Sequence, residues 1–174
     1  MVTSATGIDS KSIRTEFRGQ CTYQADTDVH FPNLTLDQTL AVADKASGRN
    51  RSVNLHPADQ SNVLEDISGY DAILSSLGLS DQQNTKVGGD FVTGLSGGER
   101  KRTSIAEVII NGSTIQLWDN STRGLDSANA LRFVRILRAL ASKAHSTIIV
   151  SLYQASEEIF NVSSDDSMSR RRDN

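Results

Sequence analysis

Two short apolar runs flank one long amphipathic stretch, and this arrangement restricts the fold more than any other feature of the chain. Ile115–Trp118 is strand-sized and ends in Asp119, and Thr147–Leu152 is β-branched and apolar. Between them, Ser127–Ser142 places Leu131, Val134, Leu137 and Leu140 on one helical face. Short apolar runs joined through a helix read as buried strands of a parallel sheet, so the expected class is α/β. Cys21–Gln24 reads as a further short strand.

The helices upstream announce themselves by their ends. Thr35-Leu36-Asp37-Gln38 has the form of a capping box, in which the threonine hydroxyl and the glutamine carboxamide satisfy amides reciprocally. That helix should run to about Ala46, where Gly48 and a polar stretch through Asn54 stop it. Between Ala58 and Leu77, the positions Val63, Ile67, Tyr70, Leu74 and Leu77 recur at helical spacing and Gly78 closes the segment. Asn84–Gly94 reads as a loop. Ser96-Gly97-Gly98-Glu99 is a second capping box, opening a helix with Ile105, Val108 and Ile109 on its face and Gly112 at its end. Residues 1–19 are weakly patterned. The Ser/Asp/Arg-rich stretch 163–174 reads as a disordered tail.

Composition limits the function classes. A chain of 174 residues makes one domain or little more. Its net charge of −3 offers no basic stripe, so no nucleic-acid partner is expected. Cys21 is the sole cysteine, which excludes an intrachain disulfide and suits a reducing, intracellular setting. No run approaches the roughly 18 apolar residues of a membrane span, and Met1–Ser10 has neither the basic nor the apolar part of a signal peptide. Any membrane role is therefore expected to come from a partner or from chain outside this sequence, and the isolated chain is expected to be cytoplasmic.

The chemistry concentrates in two places. At Ser96–Glu99 a helix N-terminus presents free amides and the positive end of a dipole, and Gly97 and Gly98 let a phosphate approach the backbone. A capped helix start without a ligand explains the same residues. Asp119 stands at the carboxyl end of a strand, where parallel sheets bind ligands, and could hold Mg²⁺ through water. A strand-end aspartate capping a turn is the alternative. Gly124-Leu125-Asp126 follows closely. Elsewhere the signals are weak. His30, His56 and His145 with Cys21 lack metal-ligand spacing, Arg170-Arg171-Arg172 and Arg100-Lys101-Arg102 read as solvated, and Trp118 reads as core filling.

These residues carry a resemblance. Leu95–Glu99 matches the signature of ATP-binding cassette (ABC) ATPases, Ile115–Asp119 resembles their Walker B strand, and Gly124–Asp126 resembles the D-loop. The longer strings NTKVGGDFVTGLSGGERKRTSIAEV (84–108), LWDNSTRGLDSANAL (117–131) and DTDVHFPNLTLDQTL (26–40) are similar to the first, degenerate nucleotide-binding domain of fungal pleiotropic-drug-resistance transporters. The resemblance implies a P-loop NTPase fold with parallel core strands and a helical signature subdomain. Residues 1–162 would form a partial nucleotide-binding domain: Q-loop about 24–33, helical subdomain about 35–112, Walker B and D-loop 115–126, switch-histidine strand 147–153. It further implies ATP and Mg²⁺ as ligands. Asp26, Ser96, Gly97, Gly98, Glu99, Asp119 and Asp126 would face the nucleotide, with Asp119 and, as a second candidate, Asp26 toward the metal.

The departures matter equally. The sequence contains no Gly-Lys pair and so no G-x-x-x-x-G-K-S/T phosphate loop, which leads us to expect truncation at the amino end. The Q-loop position falls on Asp26 rather than on a glutamine, leaving either a water-bridged Mg²⁺ ligand or an acidic surface residue. Asn120 replaces the glutamate that acts as base, and Tyr153 replaces the switch histidine. The resemblance thus implies an asymmetric role. The signature would complete an ATP site on a second nucleotide-binding domain, beside transmembrane domains on the cytosolic face of a membrane, while the site on the chain's own Walker face would bind nucleotide without turning it over. A stand-alone, catalytically dead fragment that docks on and regulates a full-length transporter is the alternative. A soluble ABC ATPase of the translation or repair type is disfavoured by Asn120 and Tyr153.

Overall fold

A computed structural model of the chain describes residue 15 and residues 19–46, 70–143, 146–152 and 156–164. Its centre is a three-stranded sheet of β1 (Cys21–Gln24), β2 (Ile115–Asp119) and β3 (Thr147–Ser151), all parallel, in the order β1-β2-β3. Cys21 pairs with Ile115 and Ile115 with Thr147, and the register continues to Asp119 opposite Ser151. The helices are α1 (Leu36–Ala46), α2 (Tyr70–Leu77), α3 (Gly97–Asn111), α4 (Ser127–Lys143) and α5 (Glu157–Ser164). The expected α/β class with parallel core strands is the observed one.

The expectation of fully buried strands needs correction. Side chains alternate across a strand, and among the described residues only one face of this sheet is covered. Gln116 and Trp118 point into the core, 2% exposed each. Trp118 meets Phe133 of α4 edge to face, ring centroids 5.2 Å apart. The buried Gln116 donates to the Ser113 carbonyl and accepts from Trp118 Nε1, so its amide is satisfied locally. On the opposite face Tyr23, Ile115 and Ile149 are exposed. Ile148 and Val150 pack against the core, and Ile149 between them is exposed.

Local signals set the helix ends as expected. Thr35 and Gln38 exchange both capping-box hydrogen bonds at 3.0 and 3.2 Å. In α1, Leu36 and Leu40 are buried, and in α2, Ile73, Leu74 and Leu77. Of the helix expected over Ala58–Leu77, only Tyr70–Leu77 lies within the described residues. Gly112 ends α3 in the left-handed region at φ 61° and donates to the Val108 carbonyl.

The loop 83–95 is pinned to the start of α1. Leu36 N donates to Thr85 O, and Val87 N to Leu34 O. Gly88 and Gly94 cross so closely that a Cβ on Gly94 would lie 2.3 Å from the Lys86 carbonyl oxygen. Helix α5 packs on α4 and opens at Ser156, whose hydroxyl accepts from Ile159 N. It runs through Ser164, so the start of the stretch read as a tail is helical, and residues 165–174 lie outside the described residues.

Phe133→Ala should remove the ring that packs on Trp118 and cost about 3–5 kcal/mol. Urea unfolding followed by the emission of Trp118, the only tryptophan, should show a lower midpoint and a red-shifted folded baseline.

Candidate functional site

Because the strands are parallel, their carboxyl ends lie on one edge, and that edge gathers most of the polar residues of interest. Asp119 ends β2 between the two neighbouring strands. Its Oδ2 accepts from the Tyr23 hydroxyl of β1 and its Oδ1 from Ser151 Oγ of β3, both at 2.8 Å. These bonds, Ser151 foremost, hold its carboxyl below the usual aspartate range, so Asp119 is an anion near neutrality. Asn120 follows at φ 47°, a left-handed conformation that asparagine tolerates better than most residues. Its backbone N–H donates to Ser151, while its side-chain Oδ1 is buried without a hydrogen-bond partner.

Asp26, in the segment after β1, reaches the same edge. Arg123 Nη1 donates to its Oδ2 at 2.7 Å, and its backbone carbonyl accepts from Lys101 Nζ at 2.9 Å. Asp26 Oδ1 is buried and unpartnered. The aspartate is thus not a free surface acid: one oxygen is ion-paired with Arg123 and the other has no donor.

The turn Ser96–Glu99 forms a separate group. Ser96 N and Oγ both donate to Glu99 Oε2 at 2.8 Å, and Glu99 N donates back to Ser96 Oγ at 3.3 Å. The capping box is complete. The Ser96 bonds to Glu99 lower its carboxyl below the usual glutamate range, the backbone bond contributing most. Above Gly97 no atom lies within 4 Å of where a Cβ would stand, and above Gly98 only the tip of Arg102 does. The first turn of α3 is open to an approaching anion.

Asp126, expected to face the nucleotide, acts locally as the cap of α4. Its carboxylate accepts from the Asn129 backbone and side-chain amides, and its carbonyl accepts from Ala130 N. Tyr153 lies outside the described residues, as do His56, His145 and Arg170–Arg172. Lys101, read as solvated, is a correction: it is 3% exposed, because Asp28 and the Asp26 carbonyl compensate the charge in the interior.

The groups implied by the resemblance fit the residues present. Asp26 Oδ1, buried without a donor, and the ionised carboxylate of Asp119 are oxygen groups of the kind that suits a hydrated divalent cation. Among the described residues no group of three or more His, Cys, Asp or Glu side chains is placed to hold a metal ion. Tyr23, Ser151 and Arg123 were not anticipated. Each lies far along the chain from its acidic partner; strand register brings Tyr23 and Ser151 to Asp119, and the loops that follow β1 and β2 bring Arg123 to Asp26.

A family model described as ABC transporter matches residues 3–123. Over 156 residues the chain is 49% identical to an ABC-type transporter of Hericium erinaceus, and over 157 residues it is 48% identical to ABC multidrug transporter C of Aspergillus fumigatus. It is 44% identical over 160 residues to a pleiotropic ABC efflux transporter of multiple drugs of Candida glabrata. These alignments cover 90–91% of the chain but 10% of each relative, so the chain spans a small part of the proteins it matches.

Ser96→Ala should lower stability by about 1 kcal/mol through loss of the cap. Glu99 is held below its unfolded value, so its contribution is present above about pH 4.3 and fades as acid protonates the folded carboxylate. Urea midpoints measured across the acid range should show this fading in the parent and a flatter dependence in Ser96→Ala.

Proposed function

The chain belongs to the ABC transporter family, and from that premise we propose that it works within the ATP-binding domain of a longer exporter of hydrophobic compounds. In this reading Ser96–Glu99 completes an ATP site carried by a second nucleotide-binding domain. The observation that carries it is a contrast between two ends of the domain. The first turn of α3 is capped, glycine-lined and open, whereas β2 ends in the amide of Asn120.

Bound Mg-ATP would supply the scissile phosphate bond and most of the negative charge. Toward that charge the amides at Gly97 and Gly98 offer donors and a helix dipole, and the capping box keeps the turn rigid. Asp119, held ionised by Ser151 and Tyr23, can orient waters around a cation. Asn120 cannot accept a proton from water near neutral pH, so this chain's own edge binds without supplying a general base. Among the described residues no helix is long and apolar enough to cross a membrane. A membrane-embedded partner would meet the exposed Val29, Phe31 and Phe91, on two loops joined by the Gly88 N–H to Pro32 carbonyl bond.

Two assays test this. The purified chain with Mg-ATP should release phosphate at background rate, and turnover that is abolished by Asp119→Ala would overturn the reading. In the membrane-embedded exporter, Gly98→Asp places a carboxylate at the open turn and should lower ATPase activity at least about tenfold. Asn120→Ala should leave activity within about twofold there, because on this reading the position contributes no base. The opposite ranking would refute the assignment of the two ends.

A further inference from the structure

Helix α3 is fastened to residues 25–30 by a buried polar cluster that the ATP chemistry above does not use. Lys101 Nζ lies 3.4 Å from Asp28 Oδ1, and Ser104 Oγ donates to the same oxygen at 2.6 Å. His30 Nε2 stands 2.9 Å from Ser104 Oγ and 3.3 Å from the Arg100 carbonyl. On the other side of the ring, His30 Nδ1 faces Glu107 Oε2 at 3.5 Å, with the histidine side chain 4% and the glutamate 30% exposed. Nδ1 has no hydrogen-bond partner within ordinary reach.

These contacts dictate where the hydrogens sit. A serine hydroxyl has one proton, and that of Ser104 goes to the carboxylate of Asp28. Ser104 Oγ therefore accepts from His30, so Nε2 carries a hydrogen, and the Arg100 carbonyl, an acceptor only, requires the same. Nδ1 is then the free nitrogen of a neutral ring, aimed at a carboxyl oxygen. With both groups deprotonated, two acceptors would face each other with the ring nitrogen out of water, a costly arrangement. A single proton between them removes the conflict.

We propose that His30 and Glu107 share one proton, and that this proton is a pH-sensitive latch holding residues 25–30, Asp26 among them, against α3. Burial pushes the Glu107 carboxyl up to about 7, with the charge of Asp28 adding to it. Burial also lowers His30. The Arg100 carbonyl and Asp28 oppose that shift, while the charges of Arg100 and Lys101 reinforce it. Both directions favour a protonated carboxyl donating to a neutral ring.

The other elements packed on α3 do not compete for the proton. Strand β1 brings no acid beyond the Cys21 thiol and the Tyr23 phenol, and the latter is bonded to Asp119. Helix α1 brings Asp37, which accepts from the Tyr70 hydroxyl, together with Asp44 and Lys45, and α2 brings Asp71. None of these is among the charges that act on His30 or Glu107.

The sign follows from the unfolded values, about 4.3 for glutamate and 6.5 for histidine. Between them the unfolded pair also carries one proton, so stability is flat with pH. As pH rises from about 6.5 through the folded value, the shared proton is held more tightly in the fold, then lost, and the latch opens.

Nuclear magnetic resonance of the full chain with ¹⁵N-histidine tests this, since only three histidines are present. His30 is assigned by the signal lost in His30→Gln. The expected result is an Nε2–H tautomer throughout, one transition near pH 7 sensed at Nδ1, and faster amide exchange, corrected for pH, in residues 25–30 above it. Glu107→Gln carries a non-titrating N–H donor at the same place, so it should abolish the transition and keep those amides protected. A transition unchanged in Glu107→Gln would overturn the latch. So would an Nδ1–H tautomer in the unsubstituted chain, a reading that does not depend on any variant folding.

Discussion

The central place of β2 is the constraint on which the rest of the structure depends. Its backbone pairs on both sides, with β1 and with β3, so the sheet exists only where this strand is present. Its inward residues, Gln116 and Trp118, carry the contact with α4, and the burial of Trp118 against Phe133 is worth several kcal/mol by area alone. Its last residue then emerges between the ends of two parallel neighbours. That position, rather than anything local to Asp119, supplies the two hydroxyl donors that keep the carboxylate charged.

Helix α3 performs two tasks from opposite sides. Its first turn is left open at Gly97 and Gly98, which costs helix propensity at two positions. The capping box restores part of that cost by satisfying amides at the same end. One turn further on, Lys101, Ser104 and Glu107 face inward and bind the segment after β1. An interior lysine is tolerable only with partners, and Asp28 with the Asp26 carbonyl provides them. The open turn and the buried cluster are therefore held in a fixed relation by one rigid element.

On the proposed reading, the two ends of the domain would differ in what they do to a nucleotide. Charge placement is intact at both: donors at α3, an ionised aspartate at β2. Proton transfer is not, because the residue after Asp119 offers an amide. On the proposed reading, a domain with these two ends would bind and shape a site while leaving the abstraction of a proton to a second nucleotide-binding domain.

Helix starts and stops were legible in the sequence because capping, turn and periodicity signals act over three or four residues. Thr35 with Gln38, Ser96 with Glu99, and Gly112 after α3 all stand where the pattern placed them. Short apolar runs joined through a helix also revealed the strands and their parallel class, and motif spacing pointed to Asp119 and the glycines of α3. What the sequence could not state was which side chains meet across the sheet. Tyr23 and Ser151 reach Asp119, and Arg123 reaches Asp26, through register and loop placement set by long-range pairing. Burial was likewise misjudged at Lys101, since its charge reads as solvated until a distant acid is known to sit beside it. Local chemistry is written in adjacent residues, whereas the electrostatic environment of a group depends on neighbours that only the folded chain assembles.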